Sequence, residues 1–134
     1  MLRLRLERMA KANFKISYPK TSDGKKQWNS RFGLNAYYSG KHWSKRDADA
    51  KYWHSLVRHE LKVQRIRSVP FDKPVEIYFY WNDNLDLSNH AVMAKMIEDA
   101  LKGILIRDDS RAYVVGHSHH WHDGDFIGVG VKEV

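Results

Sequence analysis

The segment Trp81–Val114, WNDNLDLSNHAVMAKMIEDALKGILIRDDSRAYV, contains the pattern that decides the fold. It joins the end of an apolar strand, an acidic loop, an amphipathic stretch, a short apolar run and a pair of aspartates. Asp86 and Ser88 stand at N-cap positions and Gly103 stands at a C-terminal stop, which predicts a helix from about Ser88 to Lys102. Its buried side repeats at helical spacing: Met93, Met96, Ile97, Ala100 and Leu101.

The helix separates two acidic sets. Asp86 lies at its entrance, and Asp108 and Asp109 follow its far end. We expect the run Ile104-Leu105-Ile106 to pair beside the strand that precedes the helix. That pairing would bring the two acidic sets together.

Length and composition bound the remaining possibilities. The 134 residues suit one domain with a hydrophobic core. Cysteine is absent, which excludes disulfides and cysteine-based sites and is typical of cytoplasmic proteins. No apolar run reaches membrane-spanning length, and the first residues alternate leucine with charge, unlike a secretory segment. The net charge of +7 fits a nucleic-acid partner or a solvated basic surface, and we expect no membrane contact.

The rest of the chain predicts a mixed α/β (α+β) fold over residues 1–134. Strands are expected at about 12–18, 75–81, 111–121 and 126–132, and a second main helix at 44–64. Asp123-Gly124 is predicted to turn the last two strands into a C-terminal β-hairpin. Residues 19–43 are expected to be loop, with room for one strand after residue 28.

The segment Trp28–Trp43 interleaves aromatic and amide side chains with cations. This composition suits contact with phosphates and splayed bases, and it also suits a hydrophobic loop tucked against the core. The helix that follows begins with Ser44-Lys45-Arg46, and phosphates favour helix N-termini. The residues expected to contact nucleic acid are Asn35, Tyr37, Tyr38, Lys41, Trp43, Lys45, Arg46 and Asn89.

The carboxylates Asp86, Asp108 and Asp109 are hard oxygen donors of the kind that Mg²⁺ prefers. An ion held by them could polarise a phosphodiester and activate a water. Lys95 lies about two helical turns after Ser88 and could contact the scissile phosphate. Taken singly, these residues also fit a helix cap, a turn and an i,i+4 ion pair.

The order Asp86-Leu87-Ser88-Asn89, Lys95, Asp99-Ala100-Leu101 and Asp108-Asp109-Ser110 resembles the RusA family of Holliday-junction resolvases. The resemblance covers roughly residues 75–115, with a looser likeness upstream in LNAYYSGKHWSK. It implies a homodimeric, Mg²⁺-dependent endonuclease of phage or prophage type that nicks four-way DNA junctions in recombination and repair. It further implies that Asp86 and Asp109 are metal ligands, that Asp108 is their neighbour and that Lys95 is the catalytic cation.

Ser88 occupies the position where the family pattern has a second aspartate. Asp83 or Asp108 could compensate, or the protein could be a branched-DNA-binding protein with weakened catalysis. A third interpretation, a zinc protein, rests on His117, His119, His120 and His122. Strand alternation predicts His117 and His119 on one face and His120 and His122 on the other, so they cannot share one ion without a bulge.

Overall fold

The computed structural model describes residues 11–134, so the first ten residues of the predicted domain lie outside the description. The strands are β1 (Lys11–Ser17), β2 (Val75–Trp81), β3 (Val114–Trp121) and β4 (Phe126–Glu133). The helices are α1 (Ser22–Phe32), α2 (Leu34–Tyr38), α3 (Trp43–Val63) and α4 (Ala91–Leu101), with a 3₁₀ turn at Leu87–His90 before α4. The predicted fold class and all four strands are confirmed.

The strands form one mixed sheet in the order β1-β4-β2-β3. β2 pairs in parallel with β3 and antiparallel with β4. The predicted C-terminal hairpin is therefore wrong, because β2 lies between β3 and β4. The segment around Asp123-Gly124 connects β3 to β4 past the end of β2. The nearly continuous apolar run of β2 explains this outcome, because the most hydrophobic strand takes a central position.

Two further expectations are wrong. Residues 19–43 are largely helical, because Thr21 caps α1 by accepting a hydrogen bond from the Gly24 amide at 2.9 Å. Trp28 and Phe32, four residues apart, then bury one side of that helix. The run Ile104-Leu105-Ile106 forms a turn and not a strand, and Gly103 starts it with a φ of +81°.

One face of the sheet packs against the helices and forms the core. The buried strand residues alternate along the chain, as in Val75, Ile77, Phe79 and Trp81 of β2. Helix α4 buries the predicted side, with Met93, Ile97, Ala100 and Leu101 inaccessible and Met96 at the margin. No helix within residues 11–134 combines the length and the hydrophobicity needed to span a membrane.

Candidate metal centre and nucleic-acid interface

One stripe of helix α4 carries Lys95, Glu98 and Asp99, and Lys102 follows at the C-cap of the helix. Their spacing of three and four residues aligns them along one side of the helix. The loop that follows the helix returns Asp109 to this stripe. The short apolar turn at Leu105 and Ile106 anchors that return, since both side chains are buried in the core.

Glu98, Asp99 and Asp109 form an acidic group that could hold a metal ion, with one ligand atom from each lying within 4.8 Å of the others. Two ammonium groups share these carboxylates. The Lys95 Nζ lies 2.6 Å from an Asp109 oxygen and 2.9 Å from an Asp99 oxygen. The Lys102 Nζ lies 3.0 Å from the same Asp109 oxygen.

The ion pairs shift the titration of this group. Hydrogen bonds from Lys95 and then Lys102 hold the pKa of Asp109 far below its usual value. The carboxylates of Asp109 and Asp99 raise the pKa of Lys95, and Asp109 raises that of Lys102. At neutral pH, Asp109 is therefore a carboxylate and both lysines are cations.

Glu98 is the buried member of the acidic group. Its residue is 5% exposed, and its carboxylate pairs with the Nε2 atom of His117 on the neighbouring strand β3. A charge at this depth needs such a partner, because burial penalises an isolated carboxylate. His117 thus fixes the orientation of Glu98 toward the other two acids.

The structure brings together only part of the predicted ligand set. Asp109 belongs to the acidic group, but Asp86 and Asp108 belong to no group of three potential ligands within residues 11–134. Asp86 is exposed at the start of the 3₁₀ turn, and its side chain makes no capping hydrogen bond. Asp108 is exposed as well. Their roles as metal ligands stay predictions.

Asp83, one of the two residues predicted to compensate for the serine at position 88, is held by other partners. Its oxygens accept hydrogen bonds from the His90 Nε2 atom at 2.7 Å and from the Leu85 amide at 3.0 Å. His90 is fully buried, stacks on Trp81 and places its Nδ1 atom 2.8 Å from the Leu87 carbonyl. Asp83 is therefore committed to holding the entrance of α4 on the core.

An open basic groove of about 920 Å³ lies between α1 and the start of α3. Its cationic lining consists of Lys26, Arg31, Lys41 and Lys45. Tyr38 and Trp43, which neighbour its lining residues in the chain, are 79% and 73% exposed. Exposed aromatic rings beside a cationic groove are suited to stacking on bases.

Asp49 organises this groove from below. It is 1% exposed and accepts hydrogen bonds from the Arg31 Nε atom at 2.7 Å and the Tyr37 hydroxyl at 2.6 Å. The Lys41 Nζ also donates to it. Burial opposes ionisation of Asp49, but the bonds from Lys41, Tyr37 and Arg31 outweigh it and lower the pKa. Burial, followed by the bond to Asp49, raises the pKa of Tyr37.

The residues predicted to contact nucleic acid divide into two kinds. Tyr37, Lys41 and Arg46 have structural partners: Arg46 donates to the carbonyls of Lys41 and Tyr37 at 2.9 and 3.2 Å. The others are at least partly accessible on α2, at the start of α3 or in the 3₁₀ turn: Asn35, Tyr38, Trp43, Lys45 and Asn89. Helix α2 packs against the 3₁₀ turn that contains Asn89.

Sequence reasoning missed Glu98 and Asp49, and it gave Asp99 no role as a metal ligand. Glu98 was detectable, because it lies three residues after Lys95 on the polar stripe. Asp49 had no comparable signal: it was expected on neither side of α3, and only the folded α1 and α2 reveal its partners.

The histidines of β3 separate as the alternation predicts. His117 pairs with Glu98, and the His119 Nδ1 atom accepts a hydrogen bond from the Trp81 indole at 3.1 Å. Burial, followed by the charges of His117 and His90, lowers the pKa of His119. His120 stacks on Tyr80 on the opposite face. In the part of the chain described, no group of three potential metal ligands contains a histidine.

Comparison with known proteins gives no family for this chain: no protein-family model and no curated protein sequence matches it.

Proposed function

We propose that this protein is a Mg²⁺-dependent endonuclease that nicks branched DNA, as its resemblance to the RusA family implies. The observation that carries the proposal is the convergence of Asp109 with Asp99, Glu98 and Lys95 in one group that solvent reaches through Asp99, Asp109 and Lys95. Carboxylates can hold the cation that assists phosphodiester hydrolysis, and a neighbouring lysine can stabilise the charge that develops.

The donor set fits a hard divalent cation, because all three ligands are carboxylates. Asp109 and Asp99 are the accessible ligands, and Glu98 completes the group from below. When bound, Mg²⁺ would polarise the phosphate and lower the pKa of a coordinated water. The protein must move the ammonium groups of Lys95 and Lys102 aside to admit the ion, since both now contact Asp109.

Lys95 has a second task in this proposal. Its raised pKa keeps it cationic at neutral pH, and its side chain is 56% exposed. Released from Asp109, the ammonium can contact a phosphate oxygen and offset the charge that develops during hydrolysis. The basic groove with Tyr38 and Trp43 supplies the DNA-binding surface, and a homodimer would offer two equivalent sites to a two-fold symmetric junction.

The test is cleavage of a labelled four-way junction with and without Mg²⁺. Asp109→Asn is expected to bind the junction as the wild type does and to lose nicking. Asp123→Asn, an exposed loop aspartate, is the matched control and should nick normally. Nicking by Asp109→Asn at the wild-type rate would reject the proposed site.

Two more variants separate the ligand set predicted from the sequence from the group in the structure. Loss of nicking in Asp99→Asn but not in Asp86→Asn would assign the ion to the acidic group. The reverse result would assign it to the entrance of α4, near Ser88.

A second candidate function is branched-DNA binding without cleavage. Two observations favour it: two lysines already pair with the acidic group, and the Asp83 carboxylate is paired with His90, which leaves it unsuited to replace the aspartate absent at Ser88. Ser88→Asp distinguishes the two functions. Nicking gained by this variant from an inert wild type would support weakened catalysis, whereas a wild type that nicks excludes it.

A further inference from the structure

The face of the sheet opposite the core carries an aromatic surface that the proposed function does not use. Two shallow depressions, of about 290 and 230 Å³, flank Tyr80 on this face. Tyr80 is 36% exposed although it lies on the central strand β2. An accessible tyrosine on a central strand indicates that, among residues 11–134, no helix or strand packs over this part of the face.

The pairing register arranges this face in rows across the sheet. One row runs Lys15, Gly128, Tyr80 and His120, and the next runs Asn13, Gly130, Tyr78 and Ser118. In these two rows β1 therefore contributes a lysine and an asparagine, β4 two glycines, β2 two tyrosines, and β3 a histidine and a serine.

The aromatic rings of this face form one continuous surface. The rings of Tyr80 and His120 stack at 5.3 Å, and those of Tyr78 and His120 at 6.4 Å. None of the three residues belongs to the buried core. Rings held side by side on a rigid sheet offer flat apolar faces on which planar ligands can stack.

Glycines form the floor beside these rings. A Cβ atom at Gly128 would lie 3.2 Å from the Tyr80 Cβ, and one at Gly130 would lie 2.9 Å from the Asn13 amide oxygen. Side chains at these two positions would fill the space next to the tyrosines. Their absence leaves backbone as the floor of the depressions.

Lysines of β1 and β4 lie along one side of the aromatic surface. Lys11 and Lys132 face each other across β1 and β4, and the Lys15 Nζ lies 4.5 Å from the Phe126 ring centre. Glu76 is the acidic residue in register with Lys132, and it accepts the Tyr78 hydroxyl at 2.8 Å. Three lysines against one glutamate leave the face positive.

We propose that this sheet face binds an unpaired strand of nucleic acid, with bases stacked on Tyr80, Tyr78 and His120 and phosphates beside the lysines. Open aromatic rings, a glycine floor and flanking cations together match the chemistry of a single strand. The positive charge disfavours a second copy of this basic chain as the occupant. The site shares no residue with the acidic group or the basic groove, so it stands or falls separately from the proposed endonuclease.

The experiment measures binding of a fluorescent 15-nucleotide oligothymidylate, in EDTA at low salt, by anisotropy. Tyr80→Ala is expected to weaken binding roughly tenfold, the scale of losing one stacked base. Tyr80→Phe keeps the ring and should bind like the wild type. Lys15→Gln should weaken binding and flatten its salt dependence, whereas Lys62→Gln on the outer side of α3 is the control.

The variants distinguish binding at the sheet face from binding at the basic groove and from self-association. Equal affinity of Tyr80→Ala and wild type, with loss in Trp43→Ala, would move the strand to the basic groove and overturn the proposal. A wild-type dimer that dissociates in Tyr80→Ala without loss of oligothymidylate binding would make this face a self-association surface instead. Asp109→Asn should bind the oligonucleotide normally even where it abolishes nicking, which separates this proposal from the endonuclease.

Discussion

Asp49 and Asp109 each bind two cationic side chains, yet their surroundings give them opposite properties. Asp49 is a single buried carboxylate between Arg31 and Lys41, so its cluster keeps one positive charge. Asp109 shares Lys95 and Lys102 with Asp99, and Glu98 adds a third carboxylate, so acids outnumber lysines in that group.

The difference shows how a basic protein can support two kinds of site. An excess of cations around one acid is suited to phosphates, and an excess of acids around two lysines could hold a metal ion. Burial adds a second contrast. The Asp49 carboxylate is 2% exposed and fixed by three donors, whereas the Asp109 carboxylate is 24% exposed and can exchange its partners.

The largest expected effect is on stability. Asp49→Ala should lower the free energy of unfolding by about 3 kcal/mol, because it leaves Lys41 and the Tyr37 hydroxyl without their buried partner. Asp109→Ala should change it by less than about 1 kcal/mol, since its lysines can turn to water. Urea unfolding of both variants measures these changes. Equal losses of unfolding free energy in the two variants would contradict the proposed difference between the two carboxylates.

The same contrast predicts a pH dependence. The pKa of Asp49 is lowered in the folded protein, so its ionised form stabilises the fold above the unfolded value of about 3.9. That contribution is lost as the pH falls through the folded pKa. The stability gap between wild type and Asp49→Asn should therefore narrow from neutral pH to below about 3.9, as urea midpoints would show. A constant gap would mean that Asp49 acts through shape and not charge.

The sequence predicted those parts of the molecule in which hydrophobic periodicity is strong. The apolar run of β2 predicted the bounds of that strand, and the apolar side of α4 predicted that helix and its end, because burial of those side chains determines both elements. The first residues of the predicted helix form the 3₁₀ turn at Leu87–His90 instead. The loop predicted for residues 19–43 is wrong, because aromatic residues in this segment lie at helical spacing. There Thr21 and the contact between Trp28 and Phe32 decide the structure.

The candidate site was only partly predictable, for a topological reason. Helical spacing places Lys95, Asp99 and Lys102 on one stripe without knowledge of the fold. The return of Asp109 to that stripe depends on a turn that buries Leu105 and Ile106, which the sequence pattern presented as a strand. A pairing order in which β2 separates β3 from β4 likewise leaves no local signal.

Metal binding should stabilise the acidic group and leave the Asp49 cluster unaffected. At Mg²⁺ concentrations tenfold above its dissociation constant, the wild type should gain about 1.4 kcal/mol in unfolding free energy. Asp109→Asn should gain almost nothing, and Asp49→Asn should gain as much as the wild type. Thermal unfolding with Mg²⁺ titrated against a matched monovalent salt measures this, and an equal gain in Asp109→Asn would exclude the acidic group.

The smallest expected effect on stability is that of Lys102→Gln, a variant that also tests how the lysines affect metal affinity. Lys102 is 38% exposed and lies 3.0 Å from Asp109, so Lys102→Gln should alter stability by about 0.5 kcal/mol or less. It also removes one of two ammonium groups that compete with a cation for Asp109. Mg²⁺ should therefore bind Lys102→Gln more tightly than the wild type, as titration calorimetry would show. Weaker Mg²⁺ binding by Lys102→Gln would mean that Lys102 positions the carboxylates for the ion. It would contradict the expectation that Lys102 competes with Mg²⁺ for Asp109.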